Sequence, residues 1–393
     1  MKKRSKRLLW VVYGVFFLYS VHSAFGIYIN STFLSEGCGC GIPENMVGLL
    51  FTAGSIVGVV LTLLIRRFVA AIGSAKRLHI ATLVGTIAAL LGFVFSSSAV
   101  VVGLLFVFYW GLSYIFNFMS DILVESYSDD STTGDTRGVF LTIAGLGSMM
   151  APYLAGRLNE LYGFSAVYLS ASGLVVLALI LMLSMGKQIK EPRFEKVNIF
   201  KGMRAFFKKK NYSGIFATNF LLQFFFSWMV IYTPIYLIEH IGLSWTQLGI
   251  IFTVMLTPYV LIEIPLGKLA DRLLGEKEIL HTGILVMILS TAGLAFVYSQ
   301  SIWLWMILLL LTRIGASAVQ VASESYFFKQ VDETQVNAIS VFRLTAPTSY
   351  MIGPLLGTLF LSLPNFQFRW LFLVLAGILL IAFPFIYRIQ DTK

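Results

Sequence analysis

Charge is scarce in this sequence, and that scarcity decides the class of protein. Asp, Glu, Lys and Arg make up 12% of the 393 residues, whereas soluble domains carry about 25%. Hydrophobic residues make up 58%, and the mean hydropathy is +0.83. A water-soluble core cannot hide so many apolar side chains. The composition therefore predicts a protein whose solvent is lipid.

Cysteine is almost absent, and so are the short motifs of several enzyme classes. Cys38 and Cys40 form the stretch "CGCG", and two thiolates without further ligands fall short of a four-ligand zinc site. We interpret them as two thiols in a glycine-rich loop or as one strained disulfide, and we predict no metal site. No nucleotide-binding Gly-x-x-x-x-Gly-Lys-Ser/Thr loop, His-Glu-x-x-His motif or serine elbow occurs. We therefore expect no cofactor and no enzymatic activity, and we expect an ion gradient to supply the energy.

Long apolar runs fill most of the chain. A helical membrane span needs about 20 mostly apolar residues, whereas a transmembrane strand alternates over about 10. These runs are continuous, so the sequence predicts an all-α integral membrane protein with twelve transmembrane helices. In chain order, spans one to twelve are 8–29, 46–65, 79–97, 99–120, 138–156, 164–186, 212–234, 245–266, 279–298, 302–323, 337–361 and 370–388.

The basic residues indicate the orientation in the membrane. With a cytoplasmic N-terminus, the cytoplasmic side receives every Lys and Arg except Arg157, Arg313 and Arg369. This positive-inside asymmetry predicts a multi-pass protein of the cell (inner) membrane with both termini in the cytoplasm. The net charge of +10 is then a topology signal and does not indicate nucleic-acid binding. The opening "MKKRSKR" also suits a signal peptide, but the run 8–29 exceeds the 7–15 residues of such a segment, so we interpret it as span one.

A basic segment separates two matching halves. Residues 187–211 contain nine basic and two acidic residues, and the sequences on either side match in the same order. The matches predict two six-helix domains, 1–186 and 212–393, in a parallel repeat. The matching pairs are "GLLFT" at 48–52 with "GIIFT" at 249–253, "ESY" at 125–127 with 324–326, and "PYLAG" at 152–156 with "PLLGT" at 354–358.

The separating segment has its own predicted partner. Phe200, Met203 and Phe207 would share one face of a helix, with basic residues elsewhere. This pattern is typical of a helix that lies on the anionic lipids of the cytoplasmic leaflet. A protein-binding role for 187–211 is the alternative. We expect the protein to be a monomer.

The loop between spans eight and nine carries the most specific motif of the chain. It reads Gly267-x-x-x-Asp271-Arg272-x-x-Gly275-x-Lys277, and it resembles the cytoplasmic loop signature of the major facilitator superfamily. The resemblance extends over essentially the full length. It implies two pseudo-symmetric six-helix halves, alternating access, and a central cavity lined by spans one, four, seven and ten.

Polar side chains follow one face of spans four and ten, Asn219 and Gln223 are one turn apart in span seven, and His22 lies in the outer third of span one. A charge at mid-membrane costs a few kcal/mol, so it should face a cavity or a partner. Asp121 is our predicted proton carrier, while His22 is explained equally well by packing inside the protein. The predicted residues of the cavity and of ion coupling are Arg313, Ser317, Gln320, Asp121, Asn117, Tyr114, Trp110, Asn219, Gln223, His22 and Tyr13.

A second set of residues lies near the cytoplasmic ends of the spans. Positive-inside counting places 267–280 at that face, so we expect its charges to be in water. The resemblance implies that Asp271 lies against the start of span five, near Arg137, when the cytoplasmic side is closed. The predicted cytoplasmic gate consists of Gly267, Asp271, Arg272, Gly275, Lys277, Glu263, Glu125, Arg137, Glu324 and Arg343.

These patterns favour a secondary transporter of a small organic solute. Protons are the expected coupling ion because several carboxylates lie in or near the spans. Export is slightly favoured by "GSMMAPYLAG" at 147–156, which resembles a pattern of antiporters in the same family. Uptake by symport or facilitated diffusion is the alternative within transport. A membrane receptor or scaffold that keeps the fold without transporting is the competitor from another class.

Overall fold

The structure is a computed structural model that describes most of the chain. The described residues are 3–37, 41–125, 133–184, 203–204, 206–262, 265–266, 275–331 and 336–390. Helices and the turns between them account for all of these residues, with no strand among them. The predicted all-α class is thus confirmed for the part of the chain that the structure describes.

The first half of the chain forms spans one to six. Spans one to four are the helices Lys3–Ile27, Glu44–Leu63, Ala75–Phe95 and Ala99–Glu125. A continuous assignment, Thr133–Ser184, follows, but Gly163 interrupts it with φ 76° and ψ 175°. This left-handed conformation suits glycine, which has no Cβ. Spans five and six are therefore separate helices joined at Gly163.

The second half supplies spans seven to twelve. Short helices and π-helical turns extend several of the spans. Gly275 precedes span nine with φ 82°, again a conformation that favours glycine. The main helices are Lys210–Ile235, Trp245–Leu261, Glu276–Leu294, Ile302–Gln330, Thr345–Leu361 and Trp370–Leu379, the last continued by Ala382–Arg388.

The helix count agrees with the twelve predicted spans. Ten described helices are long and apolar enough to cross a membrane. One of them, Gly147–Ser184, contains the Gly163 break and covers two predicted spans. Span eight, Trp245–Leu261, is a shorter apolar helix of 17 residues. Each predicted span therefore has its counterpart among the described helices.

The chain divides into two compact units. The first unit comprises Met1–Glu195 and Ser244–Gly249, and the second comprises Lys196–Leu243 and Ile250–Lys393. The boundary crosses span eight, whose first turn belongs to the first unit. We refer to these below as the first and second unit.

Small residues allow the helices to approach closely within each unit. In lipid, helix association depends on packing rather than on the hydrophobic effect, so small residues are favoured at contacts. In the second unit, a Cβ on Gly283 would lie 2.9 Å from the carbonyl oxygen of Gly315. Spans nine and ten therefore meet backbone to backbone, and a larger residue at either position would push them apart.

The end of the basic segment is anchored to the second unit. Phe206 is buried and packs against Tyr212, Phe216 and Phe327, with ring centroids 5.1 to 6.1 Å apart. Met203 and Phe207 are exposed apolar side chains. Phe200 lies outside the described residues. Two of the three predicted lipid-facing side chains, Met203 and Phe207, are thus exposed, whereas Phe206, which was not predicted, packs against the protein.

Candidate functional site

Arg313 is buried in span ten, in the interior of the second unit. Its side chain is 2% exposed, and its Cζ lies 5.5 Å from the ring centroid of Phe225 and 5.2 Å from that of Phe226. Both rings come from span seven. Cation–π attraction stabilises a guanidinium in such a setting. The structure therefore places the mid-span arginine near two aromatic rings of span seven.

The residues that follow Arg313 along span ten differ in their surroundings. Ser317 is buried and donates a hydrogen bond to the carbonyl of Ile314 at 3.1 Å, so its own helix satisfies it. Gln320 is partly buried. Glu324 lies nearer the C-terminal end of span ten, where its carboxylate is 3.9 Å from a guanidinium nitrogen of Arg343. Both partners are substantially exposed, and such pairs contribute about 0–1 kcal/mol.

Asn219 joins three helices of the second unit. Its amide nitrogen donates to the hydroxyl of Thr345 at 2.8 Å, and its amide oxygen accepts from the hydroxyl of Ser323 at 3.4 Å. Gln223, one turn later, is partly exposed. Thr345 and Ser323 were not predicted, because periodicity within one span cannot identify partners on other spans.

Trp110 and Tyr114 of span four meet at one serine of span two. The indole nitrogen of Trp110 donates to the Ser55 hydroxyl at 3.0 Å, and the Tyr114 hydroxyl donates to it at 3.3 Å. Glycines make room for both rings: a Cβ on Gly54 would lie 2.8 Å from Trp110, and one on Gly58 would lie 2.5 Å from Tyr114. The sequence stretch from Gly54 to Gly58 therefore fits span two to the aromatic face of span four.

The polar end of the span-four stripe is open. Asn117 is exposed, and its amide donates to the carbonyl of Ser113 at 2.9 Å. Asp121, one turn further along span four, is also exposed.

His22 of span one lies in the interior of the first unit. It is 1% exposed; its Nε2 is 3.1 Å from the Tyr109 hydroxyl, and its Nδ1 is 3.1 Å from the carbonyl of Tyr19. Tyr13 is buried as well, in edge-to-face contact with Trp10 at 5.7 Å. These contacts agree with the packing explanation of His22, and a proton-carrying role for it stays a prediction.

A second buried histidine was not predicted. His79 of span three lies against Phe116, with ring centroids 4.6 Å apart, and Phe116 in turn stacks on Tyr19. Neither ring nitrogen of His79 has a hydrogen-bond partner among the described residues. The available signal was a histidine inside an apolar run, "RLHIATL" at 77–83.

The burial of Glu276 contradicts the expectation that all charged side chains of 267–280 are in water. It is 0% exposed at the first turn of span nine, and its carboxylate is 2.5 Å from the Lys329 ammonium. The Ser325 hydroxyl donates to the same oxygen at 3.0 Å. The expectation was wrong for Glu276 because span ten covers the start of span nine, which a loop-based count of charges cannot show.

Lys277 is the predicted gate residue whose contacts are clearest. Its ammonium donates to the carbonyls of Tyr387 and Ile389 at 3.1 Å each. Cations at a helix C-terminus interact favourably with the helix dipole and with its unpaired carbonyls. Lys277 therefore connects the start of span nine to the end of span twelve.

Several predicted gate residues cannot be placed. Gly267, Asp271, Arg272 and Glu263 lie outside the described residues. Glu125 and Arg137 lie in described helices, but their side chains are outside the description. Cys38 and Cys40 are outside it as well. In the part of the chain that is described, no group of three or more His, Cys, Asp or Glu side chains could hold a metal ion.

A further contact in the first unit was not predicted. The Glu160 carboxylate accepts a hydrogen bond from the backbone N–H of Thr246 at 2.6 Å, in the first turn of span eight. The backbones also meet closely here, because a Cβ on Gly156 would lie 2.3 Å from the carbonyl oxygen of Trp245. A carboxylate at a helix N-terminus is favoured by the helix dipole. Positive-inside counting assigns this end of span five to the outer side.

Comparison with known proteins decides the family. The family model described as Major Facilitator Superfamily matches residues 9–249 and 215–393. The chain belongs to the major facilitator superfamily. No curated protein matches the sequence. Membership in this superfamily makes the chain a multi-pass membrane protein of a transporter family, and it confirms the resemblance seen in the loop signature.

Solved structures of superfamily members share the fold at low sequence identity. A bacterial homolog of the human lysosomal transporter Spinster, in an inward-facing and unoccupied conformation, aligns with a TM-score of 0.79 and 12% identity over 98% of this chain and 97% of its own. The nucleoside transporter NupG aligns at 0.76 and 14% identity over 98% and 100%. The peptide transporter POT aligns at 0.71 and 12% identity over 96% and 94%. At these identities the likeness establishes the fold alone.

Proposed function

We propose that the protein is a secondary active transporter that moves a small organic solute across the cytoplasmic membrane by alternating access. Its family and its helical fold support this class. The observation that carries the proposal is Arg313, a buried cation in span ten. A charge at this depth costs about 2.5–3.5 kcal/mol on insertion scales, and such residues mark substrate or ion pathways.

Proton coupling is part of the proposal, with Asp121 as the proton carrier. Asp121 is exposed, so it can exchange protons with water from the cytoplasmic end of span four. His22 is enclosed and hydrogen-bonded inside the first unit, which makes it the weaker candidate. Export by antiport is favoured slightly by the stretch 147–156. Uptake by a symporter or facilitator is the second candidate.

The proposal extends to the organisation of the chain in the membrane. We assign the halves 1–186 and 212–393 as the two moving domains, with both termini in the cytoplasm and the protein acting as a monomer. The segment 187–211 rests on anionic lipids. Its exposed Met203 and Phe207 supply apolar contacts to the bilayer, while buried Phe206 fixes its end to the second unit.

Gating contacts lie at the ends of the spans. We assign the Glu160–Thr246 hydrogen bond to an outer gate, and Asp271 with Arg137 to a cytoplasmic gate. Alternating access requires each gate to open in turn. The free energies of the two states then differ by a few kcal/mol, as is usual for two conformations of one protein. A single contact of this kind therefore shifts the populations of the two states.

A ligand screen followed by a counterflow assay tests the proposal. Purified full-length protein is screened by thermal shift against diverse metabolites and drugs, since ligands of the native state raise its apparent stability. Each hit is then tested for exchange across the membrane of liposomes that contain the protein. Exchange of at least one hit supports transport. Binding without exchange, together with capture of a soluble protein by 187–211, would favour a receptor or scaffold.

A further inference from the structure

We infer that the solute carries an amide-type edge, a carbonyl beside an N–H, on a flat ring, and that Gln223 and Gln320 of the second unit recognise this edge. The inference rests on the proposed transport function and adds the chemical class of the substrate to it.

Two contacts fix the alignment of spans seven and ten in the second unit. The Asn219 amide oxygen accepts a hydrogen bond from the Ser323 hydroxyl at 3.4 Å. Further along, the ring centroid of Phe226 lies 5.2 Å from the guanidinium carbon of Arg313. Between these contacts the residue numbers rise along span seven and fall along span ten. The two spans are therefore antiparallel here.

Gln223 and Gln320 lie between these two contacts, at nearly the same depth. At a rise of about 1.5 Å per residue, Gln223 lies about 6 Å beyond Asn219, and Gln320 lies about 4.5 Å before Ser323. Residues three or four apart share one face of a helix. Both glutamines therefore lie on the faces that meet at the Asn219–Ser323 hydrogen bond, and they present their carboxamides from neighbouring helices.

These two glutamines are accessible in segments that are otherwise buried. From 221 to 237 of span seven, every residue is buried except Gln223 and Phe226, which are partly exposed. From 315 to 323 of span ten, the partly exposed residues are Gln320 and Val321. A solute that reaches these segments therefore meets two carboxamides and two apolar side chains.

The chemistry of the carboxamide selects the polar group of the solute. Each carboxamide offers N–H donors and a carbonyl acceptor, so its edge forms two parallel hydrogen bonds with a matching donor–acceptor edge, as glutamine does with adenine. A site built to bind an N–H rejects the analogue that lacks it, because a polar group of the site is then left unpaired. Carboxamides are uncharged, so this recognition does not depend on how the buried charges of the unit are paired.

The accessible ring next to these carboxamides selects the body of the solute. Phe226 lies one turn from Gln223 on the same face of span seven, and the Tyr259 ring of span eight is 6.3 Å from it, centroid to centroid. Aromatic pairs at such distances attract each other beyond the area that they bury. A flat lactam or aromatic amide can therefore place its ring on Phe226 and its edge on the glutamines.

Pairs of ligands that differ in one atom test this preference directly. Purified full-length protein is titrated with 2-quinolone and coumarin, and with isoindolinone and phthalide. In each pair the lactam N–H is replaced by a lactone oxygen of similar size. Kd is measured from the ligand dependence of thermal stability. Each lactam should bind at least about fivefold more tightly than its lactone, the effect of one ordinary hydrogen bond. Equal binding within the pairs, tighter binding of the lactones, or no binding by any of the four ligands would overturn the inference.

Variants connect the preference to the two glutamines. Gln223→Met and Gln320→Met keep the length of the side chain and remove the amide, so in each the ratio of the two Kd values should fall toward one. The matched control is Gln330→Met, because Gln330 is also partly exposed and belongs to the same helix as Gln320, but is its last residue. The control should keep the full ratio. A full ratio in both Gln223→Met and Gln320→Met would contradict the assignment, and if neither variant folds, the wild-type comparison still decides the ligand class.

Failure of this inference is distinguishable from failure of the transport function. If liposomes with the protein exchange other solutes but no lactam or amide, transport stands and the solute class is wrong. If lactams bind through Gln223 and Gln320 but none crosses the membrane, the site stands and the transport function is wrong.

Discussion

Removing Lys329 should destabilise the protein more than neutralising its partner Glu276. Glu276 is 0% exposed, whereas the Lys329 side chain is 42% exposed. Lys329→Met therefore leaves a buried carboxylate without its cation, a change that costs about 3–5 kcal/mol for fully buried pairs. Ser325 still donates to that carboxylate, and the dipole of span nine contributes about 0.3–1 kcal/mol. We therefore expect Lys329→Met to lower the free energy of unfolding by about 2–3 kcal/mol.

Neutralising the acid should cost less. Glu276→Gln keeps the volume and an acceptor for Ser325, and the partly exposed Lys329 can turn toward water. We expect this variant to lower the free energy of unfolding by about 1 kcal/mol, which is the contribution of one ordinary hydrogen bond. The double variant Lys329→Met with Glu276→Gln should be more stable than Lys329→Met alone, because no buried charge remains.

Thermal unfolding in detergent measures this difference. At about 2–4 °C per kcal/mol for a unit of 150–250 residues, Lys329→Met should lower the apparent Tm by several degrees, and Glu276→Gln by half as much or less. The matched control is Arg343→Met, which breaks the exposed Glu324–Arg343 pair and should change Tm by about 4 °C at most, less than Lys329→Met does. A Lys329→Met protein as stable as wild type, or a double variant less stable than both singles, would refute the buried-pair reasoning.

Three predictions concern the transport cycle. Asp121→Asn should uncouple transport from a pH gradient while leaving downhill exchange intact; gradient-driven accumulation that persists in this variant would move the proton site elsewhere. Asp271→Asn should favour the inward-open state. A single cysteine placed in the cytoplasmic mouth, in a protein from which Cys38 and Cys40 have been removed, should then react faster with a thiol reagent. Unchanged labelling and transport would mean that the loop only anchors topology. Glu160→Gln removes a negative charge whose interaction with the start of span eight contributes about 0.3–1 kcal/mol. Labelling of a cysteine at the outer end should therefore become about two- to fivefold faster. Slower labelling would contradict an outer gate at this position.

Hydropathy and charge were sufficient to predict the helices. Continuous apolar runs gave the twelve spans, and even the break in Thr133–Ser184 lies at Gly163, between two predicted runs. The helices are predictable because a helix that spans lipid must form all its backbone hydrogen bonds within itself. Fold class is therefore readable from one sequence in this kind of protein.

The candidate site was only partly predictable. Arg313 stood out because a charge interrupts an apolar run, but its neighbours Phe225 and Phe226 depend on the packing of span seven against span ten. His22 shows the limit of periodicity, since a helical face can point into a packed interior as well as into a cavity. Glu276 shows the limit of topology, because a charge at a helix start can be buried by the next helix.

Accumulation against a gradient tests the central claim most directly. Wild-type protein in liposomes is given a ligand found by thermal shift and an imposed pH gradient. Secondary active transport predicts that the solute becomes concentrated on one side, that a protonophore abolishes the accumulation, and that Arg313→Gln shows none despite being folded. Passive equilibration that ignores the pH gradient would contradict proton coupling, and no movement of any bound ligand would contradict transport itself.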